Sequence, residues 1–212
     1  MAQIVEKEFH LNLYYIIFLI MFIPILYIIN ISGNFIYIAA MLGFIFNAFY
    51  YDSKNHVNRF TASLPLKRES IVLGKYIFFL ISTAAFLLYI WLVDKIAHSG
   101  LPYLESKPLN WFVILLIFTS IAVMLSISIP IYFMFQSYMK AFFIQMILLF
   151  SVIFSIAIII GNPYIQISEK MVLFILDIIH LQPVLILIGF SLGSLYLSYR
   201  LTAWSYIKKD IV

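Results

Sequence analysis

The chain has 212 residues, of which 65% are hydrophobic and 10% are charged, and its net charge is +4. Soluble domains are nearer half apolar, so this composition excludes an ordinary water-soluble globule. Without cysteine, the chain forms no disulfide and no thiolate metal site. Apolar runs of about 20 residues match a hydrocarbon core roughly 30 Å thick, so the composition predicts a multi-pass membrane protein.

The predicted elements are all helical. Residues 1–12 mix apolar side chains with Glu6, Glu8 and other charges, a pattern typical of a helix in the membrane interface. Turn residues at 30–34 divide the long uncharged stretch that follows. The apolar runs predict six transmembrane helices in one all-α domain over residues 1–212, at about Leu13–Ile31, Phe35–Tyr51, Ile71–Val93, Trp111–Phe135, Ala141–Gly161 and Pro183–Tyr199.

The distribution of basic residues predicts the orientation of these spans. Six spans place both termini, residues 52–70 and residues 136–140 on one side. Ten Lys and Arg residues lie there, at positions 7, 54, 59, 67, 68, 75, 140, 200, 208 and 209, against Lys95, Lys107 and Lys170 opposite. The positive-inside rule therefore predicts cytoplasmic termini, and the charge asymmetry indicates membrane orientation and not nucleic-acid binding.

A polar segment, residues 52–70, separates the second and third spans. Val57, Phe60 and Leu64 are spaced i, i+3, i+7 and form one apolar stripe on a short helix, which Pro65 ends. Such a short helix is not stable alone. It packs either on the membrane surface, with its basic residues near anionic lipid, or against another protein, and the pattern leaves both alternatives open.

This segment resembles the cytoplasmic loop of permease subunits of type-2 ATP-binding-cassette (ABC) exporters. The residues that carry the resemblance are Asp52, Ser63, Leu64, Pro65, Lys67, Arg68, Ile71, Val72, Gly74, Lys75 and Tyr76. In that family the loop is a coupling helix that docks on a cytoplasmic ATPase subunit. The resemblance implies ATPase contacts at Asp52, Lys54, Asn55, Asn58, Arg59, Phe60, Leu64 and Pro65, and a second contact at Glu6 and Glu8.

The resemblance also implies partners, location and substrate class. The partners are ABC ATPase subunits, which would bind ATP and Mg, and a second permease subunit in a homo- or heterodimer. The location is the bacterial plasma membrane. Small members of the family export amphipathic peptides, bacteriocins, antibiotics or lipid-linked glycans, and the staphylococcal exporter of phenol-soluble modulin peptides is one system that this chain resembles.

The chain itself is not expected to be an enzyme or to hold a cofactor. Gly74-Lys75 is followed by Tyr76, so the phosphate-binding P-loop pattern is absent. The cores of the predicted spans contain no ionisable residue, and Lys75 is expected to reach the cytoplasmic surface by snorkelling. Proton relays and intramembrane hydrolases need ionisable groups deep in the bilayer, so both are disfavoured.

The remaining polar candidates lie in or near the spans. Asn47, Ser126 and Gln145 are predicted either to join helices or to line a pathway. Residues 162–182 predict a short extracellular or re-entrant helix before the sixth span, where Asp177 and His180 share a face. These two either give that helix a polar side or form a titrating or metal-binding pair. The resemblance implies that this region closes an outer gate.

The sequence thus predicts a six-span exporter subunit for a hydrophobic or amphipathic substrate. The main alternative is a membrane immunity or sensor protein that binds a peptide or antibiotic without ATP coupling.

Overall fold

The computed structural model describes residues 2–30, 34–55, 67–104, 107–135, 137–161 and 182–208. Within these ranges the chain is helical apart from short turns and contains no strand. The helices, in chain order, are α1 (Ala2–Ile28), α2 (Asn34–Lys54), α3 (Arg68–Gly100), α4 (Trp111–Met134), α5 (Tyr138–Gly161) and α6 (Pro183–Ile207). The prediction of an all-α protein is confirmed.

Five of these helices are long and apolar enough to cross a membrane: α1 from Val5, α3, α4, α5 as far as Ile159, and α6. The 24 residues of α4 extend about 36 Å at 1.5 Å per residue, which exceeds the hydrocarbon core of roughly 30 Å. The five spans indicate a multi-pass membrane protein. The shorter α2, with 21 residues, is not among the five, so a sixth span and the cytoplasmic termini stay predictions.

Two helix boundaries differ from the prediction. A separate interfacial helix over residues 1–12 is wrong, because α1 continues unbroken from Ala2 to Ile28. The polar residues of this segment do not require an interface, since Glu8 and Asn12 are buried against other helices. Similarly, α3 extends past the predicted end at Val93 to Gly100, because the carboxylate of Asp94 is buried and hydrogen-bonded.

The polar segment 52–70 is helical at both of its described ends, since α2 continues to Lys54 and α3 begins at Arg68. Residues 56–66, which contain the predicted short helix, lie outside the described residues. So do residues 162–181, which contain most of the predicted extracellular or re-entrant helix.

The helices pack into one bundle, in which α4 and α6 share the most extensive contact. α3 packs against α1, α4 and α6, and α2 packs against α1 and α4. Aromatic and branched side chains such as Phe44, Phe78 and Ile121 are buried in its core. The outer surface is also apolar, with Phe150 and Phe154 each 68% exposed, as suits helices surrounded by lipid.

Candidate functional site

A buried ion cluster joins three helices at the end of the bundle that carries segment 52–70. Lys75 Nζ on α3 lies 2.6 Å from Glu8 Oε2 on α1 and 2.5 Å from Asp52 Oδ2 on α2. Lys75, Glu8 and Asp52 are only 4%, 3% and 7% exposed. We call these three residues the Lys75 cluster. The predicted snorkelling of Lys75 is therefore wrong, since two carboxylates hold its ammonium group inside the bundle.

Aromatic rings surround the same ammonium group. Lys75 Nζ lies 5.1 Å from the ring centre of Phe49 and 5.7 Å from those of Phe78 and Phe79. Each ring presents the negative face of its quadrupole to a cation, an attraction that strengthens where water is excluded. The rings also shield the ion pairs from solvent screening. The cluster therefore has a fixed geometry, unlike an exposed salt bridge.

The charge balance of the Lys75 cluster affects Asp52, which follows the predicted second span. Burial raises the pKa of Asp52 to about 6, with a smaller contribution in the same direction from Glu8. Lys75 opposes this shift but does not cancel it. One cation facing two carboxylates thus leaves Asp52 able to take up a proton under mildly acidic conditions.

The first turns of α3 also hold α6. Arg68 Nη1 donates hydrogen bonds to the main-chain oxygens of Tyr206, at 3.3 Å, and of Ile207, at 2.9 Å. A cation is stabilising at a helix C-terminus, where carbonyl groups lack helical partners. Tyr76, the residue after Lys75, forms a hydrogen bond through its hydroxyl group with the hydroxyl group of Ser198, at 2.6 Å. The base of α3 is therefore attached to α1, α2 and α6.

Ser126 takes part in this network through its backbone. Pro130 has no N–H group, so the carbonyl of Ser126 lacks the usual helical partner four residues later. Ser198 Oγ donates to that carbonyl at 2.6 Å, while Ser126 Oγ bonds within its own helix to Val123 at 2.7 Å. The predicted polar residue Ser126 thus joins α4 to α6.

The other two predicted polar residues also join helices. Asn47 Nδ2 donates to Asn12 Oδ1 at 3.0 Å and connects α2 to α1. Gln145 Nε2 donates to Ser128 Oγ at 2.5 Å and connects α5 to α4. Of the two alternatives for Asn47 and Gln145, these contacts favour helix joining.

A third buried carboxylate lies at the opposite end of the bundle. Asp94 Oδ1 on α3 accepts a hydrogen bond from the hydroxyl group of Tyr27 on α1 at 2.8 Å. Tyr37 on α2 lies 2.5 Å from the same Tyr27 oxygen, and Leu109 N donates to Asp94 Oδ2 at 2.8 Å. We call Tyr27, Tyr37 and Asp94 the Asp94 cluster. Like the Lys75 cluster, it takes one residue from each of α1, α2 and α3.

Comparison with protein families identifies the chain. Residues 3–206 match the family described as ABC-2 family transporter protein. The chain belongs to this family. Comparisons with curated proteins and with solved structures find no match. The family match supports the resemblance drawn from segment 52–76, and it indicates a permease subunit that associates with ABC ATPase partners.

In this ABC-2 permease, the predicted ATPase contacts divide into three groups. Lys54 and Asn55 are exposed at the end of α2, and Glu6 is exposed on α1. Asp52 and Glu8 instead face Lys75 inside the bundle. The contacts predicted at Asn58, Arg59, Phe60, Leu64 and Pro65, and the gate residues Asp177 and His180, lie outside the described residues.

Two buried charged residues of the permease lie where the sequence did not predict burial. Lys75 was expected to snorkel, and Asp94 follows the predicted end of the third span at Val93. One signal in the sequence could have predicted that Lys75 is buried in an ion pair: the acidic residues Glu8 and Asp52 lie at the same end of the two neighbouring helices.

Among the described residues, no group of three His, Asp or Glu side chains is placed to hold a metal ion.

Proposed function

We propose that the chain is the transmembrane subunit of an ATP-driven bacterial ABC exporter that moves a hydrophobic or amphipathic substrate out of the cell. Separate cytoplasmic ATPase subunits bind ATP and Mg, and a second permease subunit completes the transporter. The observation that carries this proposal is the Lys75 cluster, which ties together both ends of the segment that resembles a coupling loop.

The position of the cluster explains how force would pass from an ATPase to the helices. Asp52 lies two residues before the end of α2, and Lys75 lies in the second turn of α3. Their ion pair prevents the two helix ends from moving apart, so a push on the loop between them displaces both helices. Glu8 adds α1 to the moving unit, and Arg68 adds the end of α6.

The buried charges support an amphipathic substrate. In the described part of the chain, the buried acidic and basic side chains are Glu8, Asp52, Lys75 and Asp94, at the two ends of the helices. Each of the four has a hydrogen-bonded or ionic partner within the protein. The buried side chains between them are uncharged and mostly apolar, which suits an apolar or amphipathic molecule better than an ion. Export of an amphipathic peptide, as in the phenol-soluble modulin system, is one form of this proposal.

Co-purification with the candidate ATPase tests the proposal. The docking variant combines Arg59→Glu with Phe60→Ala, and Lys140→Met, an exposed lysine on α5, is the control. We expect the ATPase to co-purify with the wild type and the control but not with the docking variant. Both variants should elute as folded protein in size-exclusion chromatography.

A second measurement separates docking from coupling. Replacing the whole Lys75 cluster by Glu8→Gln, Asp52→Asn and Lys75→Met should preserve ATPase binding while removing the permease's effect on the ATP hydrolysis rate. If no ATPase binds the wild-type chain, or the docking variant binds it equally well, the exporter proposal is refuted. A membrane sensor or immunity protein would then be the better explanation.

A further inference from the structure

A cavity of about 170 Å³ lies between α1, α2 and α3, between the Lys75 cluster and the Asp94 cluster. Aromatic rings, aliphatic side chains, one methionine and one serine line it. An apolar cavity of about 150 Å³ in a protein core stays dry and binds benzene. The space is therefore sufficient for one aromatic ring and too small for a whole amphiphile.

The lining favours an aromatic group over other apolar groups of this size. Phe9, Phe44, Phe86 and Tyr89 supply rings, and aromatic pairs in edge-to-face or offset contact are more stable than area burial alone explains. Met41 adds a thioether, which makes favourable contacts at ring edges.

Ser82 gives the cavity one polar group that the protein leaves unused. Its side chain is 8% exposed, and its Oγ has no hydrogen-bond partner among the described residues. Several other serines in the described helices bond a main-chain carbonyl three or four residues earlier, as Ser128 does to Met124 at 2.7 Å. A buried hydroxyl without a partner costs free energy, which a ligand atom that pairs with it would recover.

The cavity opens on the outer surface of the bundle. Ile20 is 50% exposed, and Ala85 beside it is exposed as well. The Tyr89 hydroxyl donates to the carbonyl of Ile20 at 2.5 Å and so fixes one side of the opening. Because this surface belongs to two membrane-spanning helices, a ligand enters from the lipid and not from water.

From these four observations we infer that the cavity between α1, α2 and α3 is a binding site for a small aromatic group with one hydrogen-bonding atom, presented from the bilayer, which pairs with Ser82. An aromatic alcohol is the simplest ligand of this class. The inference goes beyond the proposed export function and does not depend on it, because binding requires neither ATP nor an ATPase.

The test measures binding of fluorobenzyl alcohol and of fluorotoluene to the full chain in lipid nanodiscs by fluorine NMR. Ser82→Ala should weaken binding of the alcohol about fivefold, the factor expected for one neutral hydrogen bond, and leave fluorotoluene unchanged. Ala85→Phe should fill the opening and abolish binding of both compounds.

Two neighbouring residues provide matched controls. Thr83 also has a buried hydroxyl without a described partner, but it does not line the cavity, so Thr83→Val should leave both affinities unchanged. Ala84 is exposed outside the cavity, so Ala84→Phe adds the same ring as Ala85→Phe without blocking the opening. Equal binding by the two Phe variants would refute the site. Equal effects of Ser82→Ala and Thr83→Val would refute the pairing with Ser82.

Discussion

Replacing Lys75 with methionine removes the cation that two buried carboxylates share. Glu8 and Asp52 are 3% and 7% exposed, so water does not replace the lost partner. Removing one member of a buried ion pair costs about 3–5 kcal/mol, mostly because the remaining charge is left without compensation. In a chain of this length, that cost lowers the unfolding temperature by roughly 10 °C.

Removing the whole cluster should have a different effect. The combined variant Glu8→Gln, Asp52→Asn and Lys75→Met leaves no buried charge in the cluster, and replacing a complete buried ion cluster is often nearly neutral for stability. We therefore expect its unfolding temperature to lie much nearer that of the wild type than that of Lys75→Met. Thermal unfolding of the wild type, Lys75→Met and the combined variant in the same detergent gives the order of their unfolding temperatures.

The result that would refute this reasoning is a Lys75→Met protein as stable as the wild type. That outcome would mean that water reaches the carboxylates or that the three side chains are not in contact. Lys140→Met, which removes an exposed lysine, controls for the loss of a positive charge alone.

Three further predictions concern other contacts of α1, α2 and α3. Because the pKa of Asp52 is raised from 3.8 to about 6, its contribution to stability is fully present below about pH 4 and is lost as the pH rises through 6. Asp52→Asn should therefore flatten the pH dependence of the unfolding temperature in that window, and an unchanged profile would contradict the shift. A Cβ at Gly43 would collide with the Tyr15 hydroxyl, which donates to Ala40 O at 3.3 Å. Gly43→Ala should cost about 1 kcal/mol in the wild type but less with Tyr15→Phe, and equal costs in the two backgrounds of a double-mutant cycle would exclude the clash. Asp94→Ala should destabilise the protein by about 2–3 kcal/mol in denaturant unfolding, because it leaves the backbone N–H of Leu109 and one hydroxyl hydrogen of the Tyr27–Tyr37 pair without an acceptor. Tyr27→Phe removes a donor to Asp94 and the partner of the Tyr37 hydroxyl, but it should cost less because the backbone N–H of Leu109 keeps its acceptor.

The sequence predicts the fold class and most helix positions because membrane spans are encoded locally. A run of apolar residues such as 111–134 must form its backbone hydrogen bonds internally, so composition alone indicates a helix. The same local reasoning fails at residues 1–12. Charged residues there suggested an interfacial helix, whereas Glu8 is neutralised by Lys75 on another helix.

The ion cluster itself could not be derived from local pattern. Glu8, Asp52 and Lys75 are far apart in the chain, and each alone is consistent with a residue at a membrane boundary. Their contact depends on how α1, α2 and α3 are rotated about their own axes. A helix that is hydrophobic on all sides has no sequence pattern from which that rotation can be predicted. Asp94 was missed for the same reason, since its partner Tyr27 belongs to another helix.

The two clusters together join the first three helices at both of their ends. Lys75 and Asp94 are 19 residues apart on α3, as are Glu8 and Tyr27 on α1. At 1.5 Å per residue this separation is about 28 Å, close to the thickness of the hydrocarbon core. Polar contacts therefore hold the helices together where the bilayer ends, and apolar packing and the cavity lie between. Because both ends are held, we expect a force on segment 52–70 to tilt the three helices as one body, which is the movement that the exporter proposed above requires.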